Sequence, residues 1–353
     1  MSQQDVDAVQ DLATQVVRWQ AAYGRNDLPW QNTRDPYRVW LSEIMLQQTQ
    51  VVTVLDYFSR FLTRFPDVLA LAKASLDDVL SLWSGLGYYS RARNLHRCAI
   101  QVVEVHQGVF PPSAEVLQTL PGIGRSTAAA IASLCHGERV AILDGNVKRV
   151  LTRLIGFDAD LAVVANERQL WDAATKLLPV TDLQATMPRY TQGMMDLGAT
   201  VCSTKKPRCD KCPLAVSCVA RAEGRPERYP VKTRKLKRSA QAIWMLWAQT
   251  KDQAVWLSKR PTPGVWAGLY CLPLFENRAA LEASVPADCR LKLFDEPSFV
   301  HVLTHKDMHI HPVRVELHVA CTLQPDELGS WQAKDAWPAL GLPAPIRKIL
   351  QRT

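Results

Sequence analysis

Two carboxylates, Glu43 and Asp144, and four cysteines within seventeen residues are the groups in this chain with the most chemical potential. Glu43 lies in Trp40-Leu41-Ser42-Glu43-Ile44-Met45-Leu46, an acid set among apolar neighbours. Such surroundings disfavour a charged carboxyl and raise its pKa, which suits a general acid near neutral pH. The alternative is a surface glutamate on the polar side of a helix. Asp144 sits in Ile142-Leu143-Asp144-Gly145-Asn146-Val147, just ahead of an amphipathic run. It reads either as a plain N-cap or as an anion able to face a developing cation. Cys202, Cys209, Cys212 and Cys218 are spaced C-x6-C-x2-C-x5-C. Thiolates at this density suit an iron–sulfur cluster or zinc. Structural zinc sites usually carry two C-x2-C pairs, and this loop has one short gap and two longer ones, so a 4Fe-4S cluster is expected. The loop offers no open coordination position. Its expected role is structural, presenting Lys205, Lys206, Arg208 and Lys211 to phosphate.

The elements around these groups are legible in outline. Asp35-Pro36 is a helix start, an N-cap followed by proline at the first helical position, and the helix is predicted to run on to Gln50. Trp40, Leu41, Ile44 and Met45 form its apolar stripe. After Asp144, Val147, Val150, Leu151 and Leu154 mark a second amphipathic helix. Between the two lies Leu120-Pro121-Gly122-Ile123-Gly124-Arg125-Ser126-Thr127, followed by three alanines. Pro121 stops a helix, and Gly122 and Gly124 are expected to take torsions closed to other residues. The turn then offers amide groups to an anion at the start of a helix. Arg125 adds a charge, and Ala128, Ala129 and Ala130 allow close helix approach. This reads as a helix-hairpin-helix gripping one DNA strand by its backbone, or as an ordinary tight turn between packed helices.

A chain of 353 residues with 47% hydrophobic content is expected to fold as two globular domains. A net charge of +8 suits a polyanionic partner. No run of about 18 apolar residues predicts a membrane span, and the polar, acidic N-terminus is unlike a secretory signal. Nine cysteines, five of them scattered singly, are no disulfide framework and fit a reducing cytosol.

Taken together, the chain resembles the adenine DNA glycosylase (MutY) family of helix-hairpin-helix iron–sulfur glycosylases. The matching words are residues 40–50, 82–95 (Leu-Trp-Ser-Gly-Leu-Gly-Tyr-Tyr-Ser-Arg-Ala-Arg-Asn-Leu), the hairpin at 120–130, residues 143–151, Met-Met-Asp-Leu-Gly-Ala at 194–199 and the cysteine loop. They cover most of residues 28–220. The resemblance implies a multidomain fold. An all-α helix-hairpin-helix glycosylase domain with an iron–sulfur loop would span 1–220, with DNA bound between its two helical lobes. A basic linker at 221–239 would lead to an α/β Nudix-like domain at 240–353. It implies excision of adenine mispaired with 8-oxoguanine in duplex DNA, by a monomer of the bacterial cytoplasm associated with the nucleoid and not with membrane. Glu43 would protonate the departing adenine and Asp144 stabilise the sugar cation. Gln48 and Tyr88 would act as wedges beside 8-oxoguanine, with plain core packing an alternative for Tyr88. Trp30 and Gln192 would form part of the adenine pocket, and Gly122, Gly124 and Ser126 the DNA-gripping hairpin. Ser126 stands where strand-cutting relatives carry a Schiff-base lysine, so a monofunctional enzyme is expected. Lys148 is expected to contact phosphate; a weak sugar trap is its other reading.

The tail opens a fresh pattern. Val313, Val315, Leu317 and Val319 alternate with Arg314, Glu316 and His318 as a half-buried strand. This part resembles the Nudix-like domain that recognises 8-oxoguanine in the family. The acidic Nudix helix that holds magnesium is absent after Pro273, so no nucleotide hydrolysis is expected. The family's Phe-Ser-His reading loop is Leu303-Thr304-His305 here: a hydroxyl remains and the aromatic contact is gone. His301, His305, His309 and His311 are expected on a solvated face, with metal binding the other reading. Competing functions are a glycosylase–lyase or thymine-mismatch glycosylase, a catalytically dead lesion binder, and a hydrolase of oxidised nucleotides. Ser126 and the tail domain argue against the first two, intact Glu43 and Asp144 against the binder, and the missing magnesium site against the nucleotide hydrolase.

Overall fold

The computed structural model describes residues 3–233, 237–318, 323 and 329–352, with side chains from residue 11 onward. The chain divides into two compact units, residues 1–72 with 97–235, and residues 73–96 with 236–353. Val319 of the expected strand and residues 234–236 of the linker lie outside the described residues.

The first unit is helical. Asp35 caps helix Pro36–Leu46, its carboxylate accepting from the Tyr37 amide at 3.0 Å. The helix stops at Leu46, four residues short of the Gln50 expected from sequence, because Gln48 turns to φ +56. A left-handed residue cannot continue a right-handed helix. Gln50 instead precedes a new helix, Val51–Arg64.

The glycine stretch joins helix Ala114–Leu117 to helix Arg125–His136. Gly122, at φ +76, takes the torsion only glycine adopts freely. Gly124 does not. It lies at φ −84 with open space where a Cβ would stand, which corrects the expectation for that residue. Its contribution is access: no side chain caps the next helix, so that helix's first amides stay approachable. Ala128, Ala129 and Ala130 are buried, as close helix packing requires.

Helix Gly145–Ile155 links the cleft to the cysteine loop. Asp144 caps it, accepting from the Val147 amide at 2.8 Å, and Gly156 at φ +65 ends it. Val147, Val150, Leu151 and Leu154 join a core with Leu170, Met187, Tyr190 and Met194. Two arginines one turn apart hold the chain that leads into the cysteine loop. Arg149 donates to the carbonyls of Gly198 at 2.6 Å and Cys202 at 2.7 Å. Arg153, only 2% exposed, donates to the carbonyls of Ser203 (2.7 Å), Thr204 (3.1 Å) and Tyr229 (3.2 Å). Gly198 must be glycine here, because a Cβ would lie 2.6 Å from the Asn146 side chain and 2.9 Å from its carbonyl oxygen.

Among the described residues the second unit is built on a mixed sheet of eight strands: β1 Ser239–Gln249, β2 Val255–Lys259, β3 Tyr270–Cys271, β4 Leu274–Phe275, β5 Phe294–Asp295, β6 Phe299–Val302, β7 Lys306–Glu316 and β8 Gly329–Gln332. Its spine runs β3-β2-β1-β7-β5, with β1 and β7 paired in parallel along their whole length. Val313, Val315 and Leu317 face the core, and Arg314, Glu316 and His318 face out, the alternation the sequence predicts. Residues 73–96 belong to this unit through side-chain contacts. Ser84 Oγ donates to the Leu342 carbonyl at 2.6 Å, Arg93 to the Ala267 carbonyl at 2.7 Å, and Lys259 Nζ to Asp77 at 2.6 Å. Among the described residues no helix is long and apolar enough to cross a membrane.

Arg153→Met would keep the packing volume and leave several buried carbonyls unpaired. A loss of about 3 kcal/mol in urea unfolding is expected, and an unchanged midpoint would refute the arginine's role as the clamp.

Candidate active site

The helix from Pro36, the hairpin helix from Arg125 and the helix capped by Asp144 meet at a cleft of about 1070 Å³. Glu43, Gln48, Ser126, Asp144, Trp30 and Gln192 all line it. Six residues singled out from sequence therefore share one wall system inside the first unit. A second hollow of about 690 Å³ adjoins it, and Trp30, Gln31, Glu43 and Gln192 line both. Trp30 is buried and sits edge-on to Phe58 at 5.2 Å.

Glu43 is open to the cleft at its margin but otherwise enclosed by apolar helix neighbours. Burial, and secondarily the charge of Asp144, push its pKa up to about 7. The carboxyl thus titrates near neutral pH, where about half of it still holds a proton and an exposed glutamate has lost its own. Asp144 serves as N-cap and cleft-lining acid at once, its Oδ1 on the Val147 amide. Ser126 Oγ accepts from the amide of Leu143 at 3.1 Å, fixing the residue just before Asp144. Lys148 is paired with Glu167. Arg125 lies over the Trp171 ring at 3.9 Å, so its charge is anchored on that ring.

Sequence reasoning missed two residues that line the same cleft, Arg25 and Gln31, and the buried acid behind it, Asp196. Gln31 presents a buried amide whose nitrogen and oxygen have no partner in the protein. Arg25 and Asp196 form an ion pair at 2.7 Å, and Gln192 Nε2 donates to the same carboxylate at 3.0 Å. An acid inside Met194-Met195-Asp196-Leu197 was a usable signal, since a carboxylate in an apolar run needs partners.

The four cysteines line one small apolar cavity of about 30 Å³ together with Arg153 and Pro207, and none is in a disulfide. Arg153 Nη1 also lies 3.3 Å from Cys202 Sγ. Among the described residues no three His, Cys, Asp or Glu side chains close on a single-ion site. His301, His305, His309 and His311 do not form one either: His311 stacks on Trp244 at 4.7 Å, and His305 and His309 are exposed.

In the second unit, Tyr88 is 43% exposed at φ +48, which sets aside its core-packing alternative. Its hydroxyl is 2.8 Å from Thr304 Oγ1, so the two residues predicted to meet the lesion are hydrogen-bonded to one another. Thr304 and His305 both face solvent.

A helical fold with a glycine hairpin, a paired-acid cleft and a four-cysteine loop, joined to a mixed-sheet unit, defines the class of helix-hairpin-helix base excision glycosylases with a Nudix-like tail. Residues 41–179 match the HhH-GPD superfamily base excision DNA repair protein profile, and residues 243–352 match the NUDIX domain profile. An adenine DNA glycosylase of Buchnera aphidicola subsp. Acyrthosiphon pisum is 37% identical over 339 residues, 95% of each chain. The human adenine DNA glycosylase is 44% identical over 206 residues, 56% of this chain and 37% of its own. Among solved structures, a thermostable thymine-DNA glycosylase superposes with TM-score 0.53 at 25% identity, over 62% of this chain and 98% of its own. Endonuclease III in a non-covalent DNA complex shares the fold, with TM-score 0.51 at 19% identity, over 64% and 98%. This chain belongs to the adenine DNA glycosylase family.

The raised Glu43 pKa has a consequence for stability. The native state binds this proton more tightly than the unfolded chain, whose value is 4.5, so the contribution is intact below pH 4.5 and is lost as pH rises through about 7. Glu43→Gln is therefore expected to stabilise the DNA-free protein by about 2 kcal/mol at pH 8, allowing for the opening to water, and by nothing at pH 4. Unfolding free energies at the two pH values check this; a pH-independent difference would refute it.

Proposed function

We propose that this chain is a monofunctional DNA glycosylase of base excision repair, acting as a monomer on duplex DNA. Its reaction is hydrolysis of the N-glycosidic bond of adenine paired with 8-oxoguanine or guanine. The observation that carries this reading is the cleft where Glu43, its pKa raised to about 7, stands with Asp144. Breaking a purine–sugar bond builds negative charge on the base and positive charge on the sugar. Glu43 gives its proton to a ring nitrogen of the leaving adenine, and Asp144 offsets the charge of the sugar cation until water adds. Paired carboxyls answer the same demand in glycoside hydrolases. A general acid contributes roughly 10²–10⁴-fold. An anion about 4 Å from the cation adds on the order of 4 kcal/mol at an effective dielectric of 20. Neither suffices alone.

Trp30, Gln192 and the wall they share with Glu43 would hold the extruded adenine. Gln48 would fill the stack it leaves, offsetting a flipping cost of a few kcal/mol. The open amides at the start of the helix that follows Gly124 would take a backbone phosphate. Tyr88 and Thr304, already joined through their hydroxyls, would address 8-oxoguanine with His305 beside them. Cys202, Cys209, Cys212 and Cys218 suit a 4Fe-4S cluster, since the thiols surround a cavity and Arg153 adds a cation against sulfur. When bound, the cluster would brace the loop bearing Lys205, Lys206, Arg208 and Lys211. For domain boundaries we propose 1–220, a linker at 221–239, and 240–353, with residues 73–96 packed against the tail domain.

The deciding experiment is single-turnover reaction of a duplex containing one 8-oxoguanine–adenine pair, with and without alkali afterwards. Strand breaks only after alkali are expected. Breaks without alkali would make the enzyme a lyase, and binding with no breaks would make it a lesion binder. Glu43→Gln and Asp144→Asn should each slow excision by about 10²-fold or more, and near-normal rates in either would sink the mechanism. Ser126→Lys should introduce alkali-independent cleavage, because an amine replaces a hydroxyl that cannot form a Schiff base.

A further inference from the structure

Asp196 is fully buried, and three donors converge on its carboxylate. The Arg25 amide reaches Oδ2 at 3.0 Å, Arg25 Nε reaches Oδ1 at 2.7 Å, and Gln192 Nε2 reaches Oδ1 at 3.0 Å. The approach is tight by construction: a Cβ on Gly24 would stand 2.5 Å from the Gln20 carbonyl oxygen and 3.1 Å from Asp196 Oδ2. A carboxylate accepts and cannot donate, so it can face only the nitrogen end of the Gln192 amide. The amide's other end, Oε1, is thereby committed away from Asp196. Gln192 lines both hollows beside Glu43, where a flipped base would sit.

Building on the adenine-excision reading, we propose that Asp196 is a positioning residue for base specificity. It locks the Gln192 amide so that a carbonyl faces the bound purine. That carbonyl accepts from the exocyclic amine of a 6-aminopurine. It repels a 6-oxopurine, which offers another acceptor at the same place. Discrimination between adenine and 6-oxopurines thus depends on a residue that never touches the base. Arg25 completes the lock by holding the carboxylate in place through two donors with fixed direction.

The test compares single-turnover excision of adenine and of hypoxanthine, each opposite 8-oxoguanine, by the intact protein and by Asp196→Asn. An asparagine presents an amide to three donors, and of the three only the Gln192 amide can turn round and offer an acceptor. The adenine-to-hypoxanthine rate ratio is therefore expected to fall by about 10-fold, the scale of one correctly placed base contact. Equal slowing of both substrates would mean a merely structural role and would overturn the proposal. Gln192→Leu gives a second route should the buried substitution not fold. It removes the carbonyl and should lower the same ratio, and an unchanged ratio would overturn the proposal as well. Where both variants fold, Asp196→Asn combined with Gln192→Leu should lower the ratio no further than Gln192→Leu alone, because Asp196 acts through Gln192. Failure of the intact protein to release adenine would instead defeat the glycosylase reading itself, so the two failures are distinct.

Discussion

The arginine clamp on helix Gly145–Ile155 is the constraint on which the first unit turns. Arg149 and Arg153 sit one turn apart and take up carbonyls from Gly198 through Thr204, backbone groups that no regular ladder satisfies. Buried carbonyls without donors cost too much to leave open, so the chain after residue 197 can follow only one path past this helix. The same helix starts at Asp144 and buries its opposite face in the core. One rigid rod therefore fixes the cleft acid at its end and the cysteine loop along its side. Gly198 permits this because its missing side chain lets the two backbones touch at Asn146.

Near the cleft, two enclosed acids meet different neighbours. Glu43 has its pKa pushed to about 7 by enclosure and by Asp144, so it can give up a proton near neutral pH. Asp196 is more deeply buried, yet Arg25 and Gln192 satisfy it. One acid is left poised for proton transfer and the other serves as an anchor. Such a division of labour between carboxyls is set by neighbours, because the side chains themselves are nearly identical chemically.

Much of this was legible along the chain. The capped start at Asp35-Pro36, the glycine turn, the amphipathic run after Asp144 and the alternation at 313–317 are local patterns with local causes. The misreadings were also physical. The expected helix to Gln50 overran because nothing in its composition announces a left-handed residue at Gln48. Of the two glycines in the turn, Gly122 adopts the special torsion and Gly124 does not, a difference the local pattern does not carry. Asp196 sat inside a recognised word, and its partners Arg25 and Gln192 lie 171 and 4 residues away, the first separation far beyond any local pattern.

By itself, then, the sequence determined the elements, the two acids, the cysteine spacing and the family. Those follow from caps, periodicity and residue type, which act over a few positions. Tertiary structure alone decided which helix holds the cysteine loop, that Tyr88 and Thr304 meet, and that residues 73–96 pack with the tail. It also decided which way the Gln192 amide points. These depend on contacts between distant segments, where desolvation and hydrogen-bond satisfaction are settled only once the chain has closed upon itself.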